Sequence, residues 1–150
     1  MCKVAWTGRV AEPPVAWRVI LPAMQPPVHL IDETWIDALP ATVSAVVADP
    51  ANWQRWWPYL TLTVTRDRGV KGMQFAAAPA PGSGWPALTG TVEIWLEPFK
   101  TGVILHHFLR LEPAGGQPLT ARAARRWTRE AGWHAKQVFW RLKDELEAGR

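Results

Sequence analysis

The last part of the chain is one long helical segment, and it limits the folds that the preceding residues can adopt. From Thr120 to Ala148 there is no proline, most residues are good helix formers, and only Gly132 weakens the pattern. On a helical projection one side carries an apolar stripe, so this helix needs an apolar surface to pack on. The stripe consists of Ala124, Trp127, Ala131, Ala135, Val138, Phe139, Leu142 and Leu146.

The earlier segments have the alternation of antiparallel strands. Residues 60–66 alternate Leu or Val with Thr, which is the clearest period of two in the chain. Residues 28–39 form a predicted strand and turn, and further strands are predicted at 71–78, 88–97 and 103–111. Two short apolar stretches, 42–48 and 51–57, are predicted helices separated by Asp49 and Pro50.

This order predicts an α+β domain in which a curved antiparallel sheet wraps around the C-terminal helix. The two short helices after the first strand would close one end. Such a shape leaves a cavity between sheet and helix, where small molecules bind.

Several strings in the chain carry a family resemblance: 47–53 (VADPANW) with 56–58 (WWP), 93–98 (EIWLEP), 102–107 (GVILHH) and 140–147 (WRLKDELE). They resemble the START-like helix-grip (SRPBCC) superfamily, nearest to its actinobacterial polyketide cyclase/dehydrase-like members. The resemblance covers residues 28–149. It implies a helix-grip fold that binds hydrophobic or amphipathic small molecules, some members being cyclases, dehydratases or lipid carriers.

The chain departs from this superfamily in its strand number. The resemblance implies a sheet of about six or seven strands, whereas the sequence predicts five. Two strands are missing between Leu111 and the last helix. The strand number therefore leaves both the size of the cavity and its closure undetermined.

Composition and motifs exclude several function classes. The 150 residues suit one domain, and no apolar run is long enough to span a membrane. The single cysteine, Cys2, excludes an internal disulfide and a thiolate zinc cluster. No GxSxG, glycine-rich phosphate loop or HExxH motif supports a hydrolase, kinase or dinucleotide-dependent enzyme. We expect no cofactor, no metal, no nucleic-acid partner and a cytoplasmic location.

Two histidines are the candidate catalytic residues. His107 shares a strand face with Val103, Leu105 and Leu109, which we assign to the concave side. His134 lies at the edge of the helical stripe and could approach His107. Together they could serve as an acid/base pair in a cyclase or dehydratase. For His107 the alternative is a core histidine hydrogen-bonded to the backbone or to a helix side chain. His106 should point outward.

The predicted ligand contacts lie on the inner faces of the sheet, the short helices and the last helix. For the tryptophans beside Pro58, a rim that stacks on a flat ligand and a hydrophobic plug both fit the pattern. The full set is Trp53, Trp56, Trp57, Leu62, Val64, Phe75, Ile94, Leu105, Trp127 and Val138. Trp85, in a Gly/Pro-rich loop, would be a lid or an anchor.

Three alternatives stay open. An inverted sheet would instead line the cavity with Glu33, Trp35, Glu93 and Trp95. Trp133 and Trp140 lie seven residues apart on one side of the last helix, so a homodimer or another protein partner could cover them. Arg122, Arg125, Arg126 and Arg129 form a basic start to the helix. With Trp127 between them they could attract nucleic acid or anionic lipid, but we expect a solvated helix face.

Residues 1–27 hold five prolines and little periodicity, which predicts an irregular extension before a domain at 28–150. Two interpretations remain. Met24 is the natural start after an over-extended gene prediction, or the segment is an arm that packs Trp6 and Trp17 on the domain. It lacks the features of a signal peptide.

Overall fold

The computed structural model describes residues 28–116 and 118–149, so the expectations for residues 1–27 lie outside the described part. The elements follow in the order β1 (Val28–Ile36), α1 (Pro40–Ala48), α2 (Pro50–Trp56), β2 (Leu60–Asp67), β3 (Gly72–Pro79), β4 (Leu88–Phe99), β5 (Gly102–Pro113) and α3 (Ala121–Ala148). Single turns of 3-10 helix at Gly69–Lys71 and Ala114–Gly116 precede β3 and α3.

The five strands form one antiparallel sheet in the order β1-β5-β4-β3-β2. β2, β3, β4 and β5 are joined in sequence as a meander, whereas α1 and α2 connect β1, which lies beside β5, to β2 at the opposite edge of the sheet. β1 and β2 are therefore the two edges. Helix α3 packs chiefly along β1. The predicted α+β helix-grip architecture is confirmed, including the two short helices after the first strand.

Local chemistry explains where the helices begin. Pro40 and Pro50 each open a short helix, where a missing N–H costs nothing. The Asp49 side chain accepts a hydrogen bond from the N–H of Ala51, and Thr120 caps α3 in the same way through the N–H of Ala123. α3 runs unbroken through Gly132, so the weak point in the sequence does not interrupt the helix.

The register of the strands fixes the inner face of the sheet. Leu105 and His107 on β5 lie beside Ile94 and Leu96 on β4, and all four are almost fully buried. On the opposite face Trp35 and Trp95 remain partly exposed. The inverted sheet considered above is therefore wrong: Glu33, Trp35, Glu93 and Trp95 lie on the outer face.

Candidate functional site

His107 lies at the centre of the protein interior, with 1% of its surface exposed. In the sheet it stands between Asp32 of β1 and Ile94 of β4. From the helical side it meets Trp57, just after α2, and Phe139 of α3, with ring centroids 5.6 and 5.2 Å away. The assignment of His107 to the concave side of the sheet is correct.

The Trp57 indole N–H donates a hydrogen bond to Nε2 of His107 across 3.2 Å. Because Nε2 accepts, the proton of the neutral imidazole belongs on Nδ1. Burial lowers the pKa of His107 to about 4, against an opposing effect of the Asp32 charge. The ring is therefore neutral at pH 7 and presents an N–H donor at Nδ1.

Three buried polar atoms under α3 have no hydrogen-bond partner in the described part of the chain: Asp32 Oδ2, Thr34 Oγ1 and Nδ1 of His107. Asp32 pairs with His107 across the strands, and Thr34 follows two residues later on the same face of β1. The Lys136 ammonium of α3 forms an ion pair with the other carboxylate oxygen of Asp32. An unpaired buried polar atom costs about 1–3 kcal/mol, so a polar group that met these atoms would be stabilised there.

The sequence did not single out Asp32 and Thr34. One signal was available, because polar residues at inner positions of a strand conflict with the alternation that buries apolar side chains. Once Glu33 and Trp35 are assigned to the outer face, the period of two places Asp32 and Thr34 inside.

His134 is not brought to His107. Its Nε2 donates to the backbone carbonyl of Trp56 at 2.9 Å, and its ring meets the edge of Tyr59. Within the described residues the two histidines make no direct contact, so the expected acid/base pair is not formed. His134 instead joins α3 to the end of α2.

Most predicted ligand contacts gather in one core, where Trp57, Phe75, Ile94 and Leu105 are almost fully buried. Trp56 is also buried, and Trp53, Leu62, Trp127 and Val138 pack around this core with part of their surface exposed. Val64 is the exception. It lies on edge strand β2 and is 39% exposed.

The tryptophans after Asp49 act as a plug. Trp53 donates its indole N–H to the carbonyl of Val47 and meets the edge of Phe75. Trp56 packs edge-on against Phe139 at 5.6 Å. Trp85 is an anchor, stacked on Tyr59 at 3.8 Å, and burial raises the pKa of that tyrosine.

The space under α3 is thus occupied by side chains, chiefly Trp57, Phe75 and Phe139. A cleft of about 80 Å³ opens beside Trp56, between the short helices and α3. Its lining consists of Val46, Arg55, Trp56, Val138, Arg141, Leu142 and Glu145. Pockets for small ligands usually measure about 300 Å³ or more, so a ligand that passes from this cleft to the space under α3 needs side chains to move.

His106 faces outward as predicted, yet it is 7% exposed. Its two ring nitrogens lie 3.0 Å from a Glu33 oxygen and 2.9 Å from a Glu97 oxygen. The ring also stacks on Trp95. Glu97 therefore has a structural partner on the outer face of the sheet.

Two findings concern other kinds of site. Among the described residues, no three His, Cys, Asp or Glu side chains are grouped as metal ligands. No helix in the described ranges is long and apolar enough to cross a membrane.

No family model matches the sequence, and neither does any curated protein. Solved structures do match. Protein MLL2253 from Mesorhizobium loti is similar at a TM-score of 0.60 and 16% identity, over 81% of this chain and 98% of that one. DR_A0006 from Deinococcus radiodurans is similar at a TM-score of 0.55 and 14% identity, over 81% of this chain and 99% of that one. The Aha1 dimer from Colwellia psychrerythraea is similar at a TM-score of 0.51 and 15% identity, over 81% of this chain and 98% of that one. At these identities the likeness shows the fold alone, a helix-grip domain.

Proposed function

We propose that the chain binds a small, mainly apolar molecule, lipid- or polyketide-like, whose one hydroxyl or carbonyl is held between the sheet and α3. The observation that carries this proposal is the set of unpartnered buried atoms: Asp32 Oδ2, Thr34 Oγ1 and His107 Nδ1. Buried polar atoms are rarely left unsatisfied in a native protein. A ligand that brings one polar group would satisfy them.

The donor and acceptor pattern favours a hydroxyl. The N–H at Nδ1 of His107 donates, and the Asp32 carboxylate accepts. A hydroxyl can accept from the first and donate to the second, whereas a carbonyl can use only the donor. The Thr34 hydroxyl can serve either group. Apolar contacts would come from Trp57, Phe139 and the strand residues beside them.

The cleft at Trp56 is the proposed entrance. Trp56 lines the cleft and packs on Phe139, which in turn meets the His107 ring. Rotation of these two aromatic side chains would join the cleft to the buried atoms. The ligand would then occupy the volume that they fill in the free protein.

Catalysis by a cyclase or dehydratase is the alternative from the sequence, and the site supports it less well. A general acid or base works best when its pKa lies near the working pH. Burial lowers the pKa of His107 to about 4, which suits a neutral hydrogen-bond donor. His134, the expected partner, is held by the carbonyl of Trp56.

A matched ligand pair tests the binding proposal. We expect 2-naphthol to bind at least about tenfold more tightly than naphthalene, because only the naphthol can pair with the buried atoms. Equilibrium dialysis gives both affinities. In His107→Phe the advantage of naphthol should shrink strongly, whereas His29→Phe, on the outer face, should keep it. Equal affinities for the two compounds in the wild-type protein would remove the proposal.

A second candidate function is protein association through the exposed tryptophans. Trp133 and Trp140 are 59% and 50% exposed, as the sequence predicted. Trp140 and Trp35 line a groove between α3 and edge strand β1. We propose that a second copy of the chain covers this surface. Light scattering after size exclusion should then show a dimer that Trp133→Ser with Trp140→Ser converts to a monomer, and a monomeric wild-type protein would rule this out.

A further inference from the structure

One end of the molecule brings together two segments that contain no acidic residue. These are the loop at 80–87 and the stretch at 113–129, which leads into α3. The N–H of Ala114 donates to the carbonyl of Ala87 at 2.9 Å. Trp85 packs on Trp127 with ring centroids 4.5 Å apart. Neither of these two segments therefore supplies a carboxylate to the arginines, and Glu112 and Glu130 lie just outside the second one.

Four arginines project from this end: Arg122, Arg125, Arg126 and Arg129, together called the arginine face. At 3.6 residues per turn they fall within an arc of about 100° on α3. All four are exposed, and within 28–116 and 118–149 none forms an ion pair. They share one open depression with Thr120, Ala123 and Trp127.

Intramolecular stability does not explain the arginine face. The N-terminal end of a helix is positive, so cations there raise the free energy of the folded state. The first turn of α3 contains no acidic residue. The acidic residues Asp144, Glu145 and Glu147 lie near the other end of the helix, where the dipole disfavours negative charge. Each end of α3 therefore carries side-chain charge of the sign that the helix dipole disfavours. This points to an external partner for the arginines.

We propose that the arginine face, with Trp85 and Trp127 beside it, docks on a membrane surface rich in anionic phospholipid. The guanidinium groups would meet lipid phosphates, and the half-buried tryptophans would lie at headgroup level. Nucleic acid fits less well, because single-stranded binding needs aromatic faces free for bases. Trp85 already stacks on Tyr59 and contacts Trp127, which also lies against the Arg126 guanidinium.

Vesicle co-sedimentation tests this docking. The full chain should bind vesicles of equal parts phosphatidylcholine and phosphatidylglycerol but not phosphatidylcholine alone, and added salt should weaken the binding. Each cation near such a surface contributes about fivefold, so Arg126→Gln with Arg129→Gln should lower the partition coefficient about thirtyfold. The conservative pair Arg126→Lys with Arg129→Lys should stay within about threefold of wild type, because the charge is kept.

A control pair removes the same charge from the opposite end of the sheet. Arg66→Gln with Lys71→Gln, at the turn between β2 and β3, should bind almost as wild type does. If this control pair lost as much vesicle binding as Arg126→Gln with Arg129→Gln, the proposal would be overturned, since net charge alone would then explain binding. Binding to neutral vesicles, competition by millimolar glycerol phosphate, or binding to an RNA oligomer with none to anionic vesicles would overturn it as well.

Discussion

Trp57 and His107 are joined by a hydrogen bond of 3.2 Å inside the protein, with the indole N–H as donor. The bond links the residue that follows α2 to the middle of β5. It uses Nε2, so Nδ1 is the nitrogen that stays available to a ligand. The orientation of the candidate binding group is therefore set by a residue that lies fifty positions earlier in the chain.

Replacing Trp57 by Phe should remove the hydrogen bond that fixes the orientation of the His107 ring. The change removes the donor to Nε2 and some buried volume, so we expect the free energy of unfolding to fall by about 2–4 kcal/mol. Urea unfolding measures this loss, and ¹⁵N NMR of labelled histidine reports the tautomer. The tautomer signal of His107 should become mixed in the variant.

Trp53→Phe is the matched control, because it also removes an indole donor, the one bonded to Val47. It should leave the tautomer of His107 unchanged. A fixed Nδ1–H tautomer in the Trp57 variant would show that another group orients the ring.

Stability should decline in mild acid because of His107. Its pKa is about 4 in the folded protein and about 6.5 in the unfolded chain, so the unfolded chain takes up a proton first as pH falls. The stabilisation is complete above pH 6.5 and is lost between about pH 6.5 and 4. The full loss is about 3 kcal/mol, at about 1.4 kcal/mol per pH unit. Chemical denaturation at a series of pH values measures it.

In the upper part of that pH range, the effect of His107 on stability can be distinguished from the effect of the carboxylates. Hydrogen bonding to Lys143 lowers the pKa of Glu147, so its effect belongs below about pH 4.5. His107→Gln should therefore flatten the slope between about pH 6.5 and 5, whereas His134→Gln should keep it. An unchanged slope in His107→Gln would mean that the buried ring does not cause the decline.

Gly72 should be the least replaceable glycine of the β2–β3 turn. Its φ is 109°, and a Cβ there would lie 2.0 Å from the carbonyl oxygen of Ile94 on β4. We expect Gly72→Ala to cost at least about 3 kcal/mol. Gly69→Ala, in the same turn at φ 59° with open space around it, should cost only about 1 kcal/mol. Thermal unfolding compares the two, and equal losses would show that β4 moves to accommodate the side chain.

Much of the fold could be read from the chain because its signals are local. Alternation over 60–66 and 88–97 predicted strands that the structure has at Leu60–Asp67 and Leu88–Phe99. The proline-free stretch predicted α3 nearly to the residue. His107 was placed correctly because its neighbours at i±2 are apolar. Val64 was wrongly predicted to contact a ligand, because alternation assigns a side chain to a face but does not say whether another element covers that face.

The sequence by itself determined the order of the elements, their inner faces and the histidine at the centre, because these follow from periodicity and turn chemistry. Only the tertiary structure decided which side chains meet. Strand register set Asp32 beside His107, and packing of α2 against the sheet brought Trp57 to Nε2. Packing of α3 sent His134 to the carbonyl of Trp56 instead. Contacts between residues far apart in the chain depend on how elements stack in space, which no local pattern encodes.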